Sequence, residues 1–501
     1  MPLEPESEPK DFAASLARRM AGPQRHRLLQ GYPAVPLMRR AVDDPLARRR
    51  LDGALDHPEQ PEQAFVDIDP SRTLIVGVIP HTLCTPKLRG CGFCTFGQDG
   101  YRRPLMKSAI GRLHAELDHA LAHPGLAGRE VAALYFGGGT ANLTPVDQLE
   151  ASFDRLATCF DLRGAELTLE GVPSLFRSRF SAPLRWLAKL PVRRARISMG
   201  VQTFDRAQLR RMGREQFGDA ALVARVVRDA RERGIGSSGD LLFDLPHQTR
   251  AQMLADVEQA IAIGFEQICL YHLVLYPELG TAWSRDAELL AALPSNAESL
   301  ANWLALREAL IAAGYVQTSL TNFERADVHA SERRFVYEEL SFSPSEVDGL
   351  GIGPLSLSTF VDWPRRRAIK LLRARKSVDP AYGTHDYWFP YQAEDLELLV
   401  LTRTLARLRW RGAEHRARFG VALERSQGGA IDIIDIIDII DTIVAAGLAI
   451  REGEDLVLTP SGMFYADSIA GLLAERRAGE LREAGEGVHT NSLLRDHHHM
   501  G

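Results

Sequence analysis

The sequence predicts an α/β protein with a partial or full TIM-type (βα) barrel and a C-terminal winged-helix-like domain. Six apolar runs alternate with amphipathic helical patterns, as expected for strands that are buried on both faces of a parallel sheet. After residue 393 the pattern changes to two helices, a hairpin and a final helix, which favours a winged helix. The six strand candidates share near-continuous apolar character and lie at 74–80, 131–140, 165–173, 194–204, 237–246 and 267–277.

Helical segments separate these strands and end where a helix stop is expected. Gly234 and Gly264 each follow an amphipathic stretch, at the position where glycine commonly caps a helix C-terminus. Six such strand–helix units in roughly 250 residues suit a barrel or an open fraction of one.

The chain is expected to divide into five parts. These are an N-terminal extension (1–70), a barrel (71–330), a connecting segment with a glycine-rich loop at 349–356 (331–390), a winged-helix-like domain (391–475) and a tail (476–501). Within the fourth part, residues 431–441 read IDIIDIIDIID. The three-residue period drifts around a 3.6-residue helix and does not hold one face. The four aspartates could suggest a metal site, and a buried helix whose aspartates reach solvent is the favoured interpretation.

Composition excludes several classes of protein. The chain of 501 residues has a net charge of −5, without the basic excess typical of nucleic-acid binders. It has no run of 18 apolar residues that could span a membrane. The acidic, proline-containing start lacks the pattern of a signal peptide, so a cytoplasmic location is expected.

Three of the five cysteines fall within eleven residues, in the segment IPHTLCTPKLRGCGFC. Cys84, Cys91 and Cys94 follow a predicted strand, at the end of a barrel where active sites lie. Three thiolates can bind three irons of a [4Fe–4S] cluster and leave the fourth iron open. A structural zinc site is the alternative, and His81 is the local candidate for its fourth ligand.

Five further segments, in order along the chain, resemble those of the oxygen-independent coproporphyrinogen III oxidase family of radical S-adenosylmethionine enzymes. YFGGGTANLT resembles a segment of the FGGGTP type, and RISMGVQTFD is similar to RLSIGVQSF. The five segments lie at 135–144, 167–174, 196–205, 209–216 and 239–249. Each motif is weak alone, and their order behind a three-cysteine loop carries the resemblance.

The resemblance implies a cluster on the three cysteines and S-adenosylmethionine bound beside it. Arg214 suits a carboxylate through its bidentate fork, and Asp240 suits the ribose hydroxyls. The resemblance also implies an electron donor such as flavodoxin or ferredoxin. The residues expected to contact the cofactors are Phe93, Gly137, Gly138, Gly139, Thr140, Glu170, Gln202, Arg214 and Asp240.

Several departures from the family bear on the substrate. The cysteine spacing is C-x6-C-x2-C rather than C-x3-C-x2-C, and Val76 and Val78 replace the tyrosine and histidine of YVHIPFC. Thr95 follows the last cysteine, where true coproporphyrinogen oxidases have another cysteine. RRFVYE (333–338) stands where heme chaperones of the family have HNxxYW.

These departures favour relatives that methylate unactivated carbons or build cyclopropanes on a small molecule, commonly in natural-product pathways. A coproporphyrinogen III dehydrogenase-like protein and a heme-binding chaperone-like protein are the alternatives. A nucleic-acid-modifying protein is disfavoured by the acidic balance. In the C-terminal tail, His497, His498 and His499 are candidate catalytic residues, because imidazoles can move protons or hold a substrate near the barrel mouth.

Overall fold

The computed structural model describes residues 11–24, 32–33, 37–40, 69–84, 91–94, 96, 99–123, 125–373, 387–423 and 433–483. The strands are β1 (Arg39–Arg40), β2 (Thr73–Val78), β3 (Leu83–Cys84), β4 (Asp99–Gly100), β5 (Val131–Phe136), β6 (Glu166–Gly171), β7 (Arg194–Gln202), β8 (Gly236–Phe243), β9 (Gln267–His272), β10 (Tyr315–Gln317), β11 (Asn322–Arg325), β12 (Val347–Ile352), β13 (Leu357–Asp362), β14 (Arg367–Leu372), β15 (Tyr387–Tyr391), β16 (Arg409–Trp410), β17 (Ala449–Glu452) and β18 (Asp455–Leu458).

The helices surround these strands. They are α1 (Phe12–Ala21), α2 (Arg103–Leu121), α3 (Val146–Cys159), α4 (Pro173–Phe176), α5 (Ser178–Leu187), α6 (Arg206–Arg211), α7 (Ala220–Arg231), α8 (Arg250–Ile263), α9 (Ala287–Ala291), α10 (Asn296–Ala312), α11 (Ala326–His329), α12 (Tyr337–Ser341), α13 (Ala393–Thr404), α14 (Gly412–Phe419), α15 (Ile433–Ala445), α16 (Pro460–Phe464), α17 (Ala466–Leu473) and α18 (Glu475–Glu483). None of the described helices is long and apolar enough to cross a membrane.

A large, mostly parallel sheet forms the centre of the molecule. Its order is β1-β15-β14-β13-β12-β2-β5-β6-β7-β8-β9-β11-β10, and the strands from β12 to β9 run parallel. The six predicted barrel strands are therefore confirmed as β2 and β5–β9. Their apolar residues, such as Val76, Leu167 and Ile197, are fully buried, as expected for strands that are covered on both faces.

The sheet does not close, so the architecture is the partial form of a TIM-type barrel. β11 and β10 extend one edge in antiparallel fashion, and β13–β15 extend the other. The carboxyl ends of the parallel strands meet at one edge, where the cysteine loop follows β2. This edge, called the barrel mouth below, is where active sites lie in such folds.

The predicted glycine-rich loop at 349–356 is partly wrong. Residues 349–352 belong to β12, which pairs in parallel with β2 from Val347 to Ile352. A Cβ at Gly351 would lie 2.4 Å from the Leu357 carbonyl oxygen, so glycine allows the neighbouring strand to approach closely.

The C-terminal part contains the two predicted helices, α13 and α15, and the predicted hairpin, with β16 and α14 between the two helices. α13, α14 and α15 surround a small sheet of order β16-β18-β17, whose last two strands form the hairpin. In the aspartate repeat, Ile436 and Ile440 are buried while Asp438 and Asp441 are exposed. The interpretation as a buried helix with solvated aspartates is therefore confirmed for the described residues.

Candidate active site

The cysteine loop begins where β2 ends. β3 and β4 pair in parallel and close its base, and Thr82 donates a hydrogen bond of 2.6 Å to Asp99. Cys91 and Cys94 lie in a turn in which the Cys94 amide donates to the Cys91 carbonyl at 2.9 Å. All three cysteines are half-buried and none forms a disulfide.

Trp283 fixes the second half of the loop. Its amide donates to the Gly92 carbonyl at 2.8 Å, and a Cβ at Gly92 would lie 2.0 Å from its indole ring. Phe93 packs edge-to-face on the same ring, with centroids 5.5 Å apart. Sequence analysis missed Trp283, which lies about 190 residues away in the chain and carries no motif.

Two of the thiols contact the segments that were predicted to bind S-adenosylmethionine. Cys84 Sγ lies 3.3 Å from Thr140 Oγ1, and Arg214 donates to Cys91 Sγ at 3.2 Å. Among the described residues, no three His, Cys, Asp or Glu side chains are grouped closely enough to hold a metal ion. The donor set of three thiols on one loop at the mouth suits an iron–sulfur cluster, in which each thiolate binds a different iron, rather than a single metal ion.

The glycine segment after β5 bends tightly around Glu170. Gly138 has φ +105° and donates to Glu170 Oε2 at 3.2 Å. A Cβ at Gly137 would lie 2.8 Å from the same oxygen, and one at Gly138 would lie 2.7 Å from Ile79. Gly137 and Gly138 therefore have no room for a side chain, because Tyr135, Glu170 and Ile79 pack directly against the backbone of this turn.

The end of β7 is irregular at Gln202. The pairing with β8 shifts register between Gly200 and Gln202, and Gln202 adopts a left-handed backbone with φ +71°. Its side-chain amide and the Arg214 guanidinium both crowd the position of a Cβ on Gly200. Arg214 also donates to the Gly200 carbonyl, so this buried arginine joins β7 to the cysteine loop.

Asp240 lies in β8 on the inner side of the sheet. Ser198 of β7 donates to it at 3.2 Å. Burial raises its pKa from 3.8 to about 6, against hydrogen bonds from Cys269 and Ser198 that lower it. Tyr135 lies near both Glu170 and Asp240, and burial raises its pKa well above 10.

His81 is buried, and both of its ring nitrogens are engaged. The Leu83 amide donates to Nδ1 at 3.1 Å, and Nε2 lies 3.0 Å from the Thr144 hydroxyl. Burial lowers the pKa of His81 to about 4, so the ring is neutral at pH 7. With no lone pair free toward the cysteines, His81 does not fit the fourth position of the zinc alternative.

The RRFVYE segment turns inward beneath the site. The amides of Val336 and Tyr337 donate to Glu166, and Glu338 binds the buried Arg196 through both carboxylate oxygens. Tyr337 stacks on Tyr135 at 4.6 Å between centroids. The segment therefore closes the barrel interior opposite the mouth.

The predicted residues of the cysteine loop and of the strands all lie at the barrel mouth. The predicted tail histidines, His497, His498 and His499, lie outside the described residues. Cys84 contacts the Thr140 hydroxyl, the Gly138 amide donates a hydrogen bond to Glu170, and Arg214 donates one to Cys91. Asp240 lies on β8, beside β7, and accepts a hydrogen bond from Ser198 of β7.

Curated proteins of known name are similar to parts of this chain in sequence. Oxygen-independent coproporphyrinogen III oxidase of Paracoccus denitrificans is 31% identical over 247 residues, which are 47% of this chain and 51% of that protein. The heme chaperone HemW of Lactococcus lactis is 29% identical over 195 residues, 39% of this chain and 50% of that protein. The chain thus matches about half the length of these curated relatives. No family model matches the chain.

A solved structure shows the same fold over nearly the whole chain. Coproporphyrinogen III oxidase HemN of Escherichia coli, described as a radical SAM enzyme, superposes with a TM-score of 0.68 at 18% identity, over 88% of this chain and 96% of the other. The fold is thus that of a radical SAM enzyme of known structure, and the sequence motifs at the mouth resemble those of the same class. Among the curated proteins, the chain is similar in sequence to oxygen-independent coproporphyrinogen III oxidases and to the heme chaperone HemW.

Proposed function

We propose that this enzyme holds a [4Fe–4S] cluster on Cys84, Cys91 and Cys94 and cleaves S-adenosylmethionine reductively to start a radical reaction on a small molecule. The observation that carries the proposal is the double contact of Cys84 with Thr140 and of Cys91 with Arg214. These contacts join the cysteine loop to two segments that the resemblance assigns to the second cofactor. A zinc site would not require either contact.

When bound, the cluster and S-adenosylmethionine supply a 5′-deoxyadenosyl radical, which abstracts hydrogen from carbon centres that no side-chain base can deprotonate. The chain's own residues would bind and orient S-adenosylmethionine. The carbonyl oxygens of the glycine segment and Glu170 would accept hydrogen bonds from the amino group of S-adenosylmethionine, and Arg214 and Gln202 would hold its carboxylate. Asp240 accepts hydrogen bonds from a ribose diol in its ionised form.

For the substrate we propose a small molecule other than coproporphyrinogen, which is methylated, cyclopropanated or changed by related carbon–carbon bond chemistry. Val76 and Val78 are fully buried in β2 and offer no polar group to a propionate. Decarboxylation of coproporphyrinogen is the second candidate, because the relatives carry that name. A flavodoxin or ferredoxin is the proposed electron donor.

Iron binding tests the cluster assignment. Anaerobic reconstitution should give about four irons per chain, and Cys→Ala at 84, 91 or 94 should remove most of them. Cys159→Ala and Cys269→Ala are matched controls, because these thiols lie on α3 and β9, away from the loop. If either control lost the iron, the ligand assignment would be wrong.

Product analysis separates the candidate reactions. The reduced enzyme should release 5′-deoxyadenosine, and methylthioadenosine or S-adenosylhomocysteine would indicate carbon transfer. Adding coproporphyrinogen III should not accelerate this release. Formation of protoporphyrinogen IX would overturn the substrate proposal while leaving the radical mechanism standing.

A further inference from the structure

A short turn after the glycine segment connects three parts of the site. It is a single turn of 3-10 helix, Ala141–Leu143, flanked by Thr140 and Thr144. Thr140 contacts the Cys84 thiol, and Asn142 exchanges hydrogen bonds with the Val172 backbone just after β6, at 3.0 and 3.2 Å. Thr144 contacts His81. The turn therefore touches the cysteine loop twice and the strand of Glu170 once.

The hydrogen bonds around His81 fix its tautomer. Nδ1 accepts from the Leu83 amide, so it carries no proton, and the proton of the neutral ring lies on Nε2. Nε2–H then donates to Thr144 Oγ1. Thr144 is 4% and His81 1% exposed, so water does not compete for this bond.

We infer that His81 and Thr144 form a positioning pair, which holds the first cluster cysteine in register with the glycine segment that binds S-adenosylmethionine. The inference rests on the proposed function and deepens it. His81 binds one side of the cysteine loop through Leu83, the residue before Cys84, and Thr144 is four residues after Thr140. The two contacts, Cys84–Thr140 and His81–Thr144, brace the same two segments at two points.

Two contacts restrict the movement of the cysteine loop more than one contact does. The Cys84–Thr140 contact alone lets the loop pivot about the thiol, whereas the second bond, on the far side of the turn, removes that freedom. Because iron coordination tolerates only small displacements of its ligands, a fixed Cys84 preserves the cluster and its distance from the second cofactor.

Four variants distinguish the His81–Thr144 hydrogen bond between two segments from a purely local role of His81 in its own turn. In His81→Asn the side-chain oxygen can still accept from Leu83 but no longer reaches Thr144, whereas in His81→Gln the amide can still reach Thr144. Thr144→Val removes the hydroxyl at nearly constant shape, and Thr144→Ser keeps it. Thr158→Val is the matched control, since Thr158 is exposed on α3 and bonds only within its helix.

The measurements use reconstituted full-length protein. Iron content measures how much cluster is assembled, and the rate of iron loss to a chelator measures how firmly the cluster is held. The change in the electron paramagnetic resonance spectrum on adding S-adenosylmethionine reports the geometry of the bound cofactor. We expect His81→Asn and Thr144→Val to speed iron loss about five- to tenfold and to weaken the spectral change, the effect of one buried hydrogen bond. His81→Gln, Thr144→Ser and Thr158→Val should stay close to wild type.

The double variant His81→Asn/Thr144→Val should be no worse than either single variant, because both remove the same bond. The reverse pattern, with His81→Asn normal and His81→Gln impaired, would show that only the local turn matters and would overturn the inference. Equal behaviour of all variants would overturn it too. If wild type itself held no cluster, the proposed function would fail instead. Should His81→Asn not fold, Thr144→Val against Thr144→Ser decides alone.

Discussion

Gln202 shows strain at the one residue where β7 loses its register. A left-handed backbone is unfavourable for residues other than glycine by about 1–2 kcal/mol, and such outliers concentrate at functional sites. Here the bulge turns the Gln202 side chain toward Gly200 and Arg214. The backbone geometry thus supports the assignment of Gln202 to the cofactor site.

Gln202→Gly should relieve this backbone strain and, at the same time, lower the affinity of the site for S-adenosylmethionine. We expect the free energy of unfolding of the apo-protein to rise by about 1 kcal/mol, while affinity for S-adenosylmethionine falls about tenfold. Chemical denaturation and equilibrium dialysis measure the two quantities. Arg366→Gly is the control, because Arg366 has φ +51° in an exposed turn remote from the mouth. It should be stabilised without a change in affinity.

Asp240 should make the site sensitive to pH. Its pKa in the folded chain, about 6, lies above the usual 3.8, so the folded state binds the extra proton between these values. The free energy of unfolding should therefore fall as pH rises from about 4 to about 6, by about 3 kcal/mol in total. Below pH 6 the affinity for S-adenosylmethionine should fall about tenfold per pH unit, since ribose binding needs the ionised form.

Asp240→Asn tests both statements. The difference in unfolding free energy between variant and wild type should grow from pH 4 to pH 6 and then stay constant, and the pH dependence of cofactor affinity should disappear. A wild-type affinity that does not change between pH 5 and pH 7 would contradict the role of Asp240.

At the scale of elements, apolar patterns predicted the barrel strands because burial on both faces leaves a continuous signal. β12 gave no such signal. Gly349 and Gly351 within β12 and Gly353 just after it make it look like a loop, yet glycine is needed at 351 and 353, because β13 and Ile79 approach these two positions too closely for a side chain. Predicted site residues lay in motifs, whereas Trp283 and His81 act through contacts between distant segments, which no local pattern records.

A buried ion pair is one of the contacts that hold the inward-turned segment 333–338. Arg196 and Glu338 form a bidentate pair in which Arg196 is 1% exposed, and the buried Glu166 lies 3.5 Å from the same guanidinium, so removing Glu338 leaves the arginine with one longer ion pair. Glu338→Gln should lower the free energy of unfolding by about 3 kcal/mol, as measured by urea denaturation. Asp327→Asn, which breaks the exposed pairs with Arg325 and Arg333, should cost less than about 1 kcal/mol. Equal losses would mean that the buried pair contributes no special stability.

At the scale of the whole molecule, a single residue joins three parts of the chain. Gln24, just after α1, accepts a hydrogen bond of 2.7 Å from His272 at the end of β9 through its backbone carbonyl. Its side chain accepts another, of 2.9 Å, from Ser468 in α17. The region predicted as an N-terminal extension therefore bridges the barrel mouth and the C-terminal helices. Residues far apart in sequence can meet at this mouth.

The tail histidines carry the last prediction, which rests on the sequence. We propose that His497, His498 or His499 reaches the mouth and meets the substrate, because neutral imidazoles can hold or protonate a substrate beside the radical. Ending the chain at Ser492, or replacing all three histidines by alanine, should abolish substrate-dependent formation of 5′-deoxyadenosine. Iron content and affinity for S-adenosylmethionine should be unchanged, since the residues proposed to bind them lie between 84 and 240. Replacing Asn491 by alanine is the control. Full substrate-dependent activity of the truncated chain would remove the tail from the site.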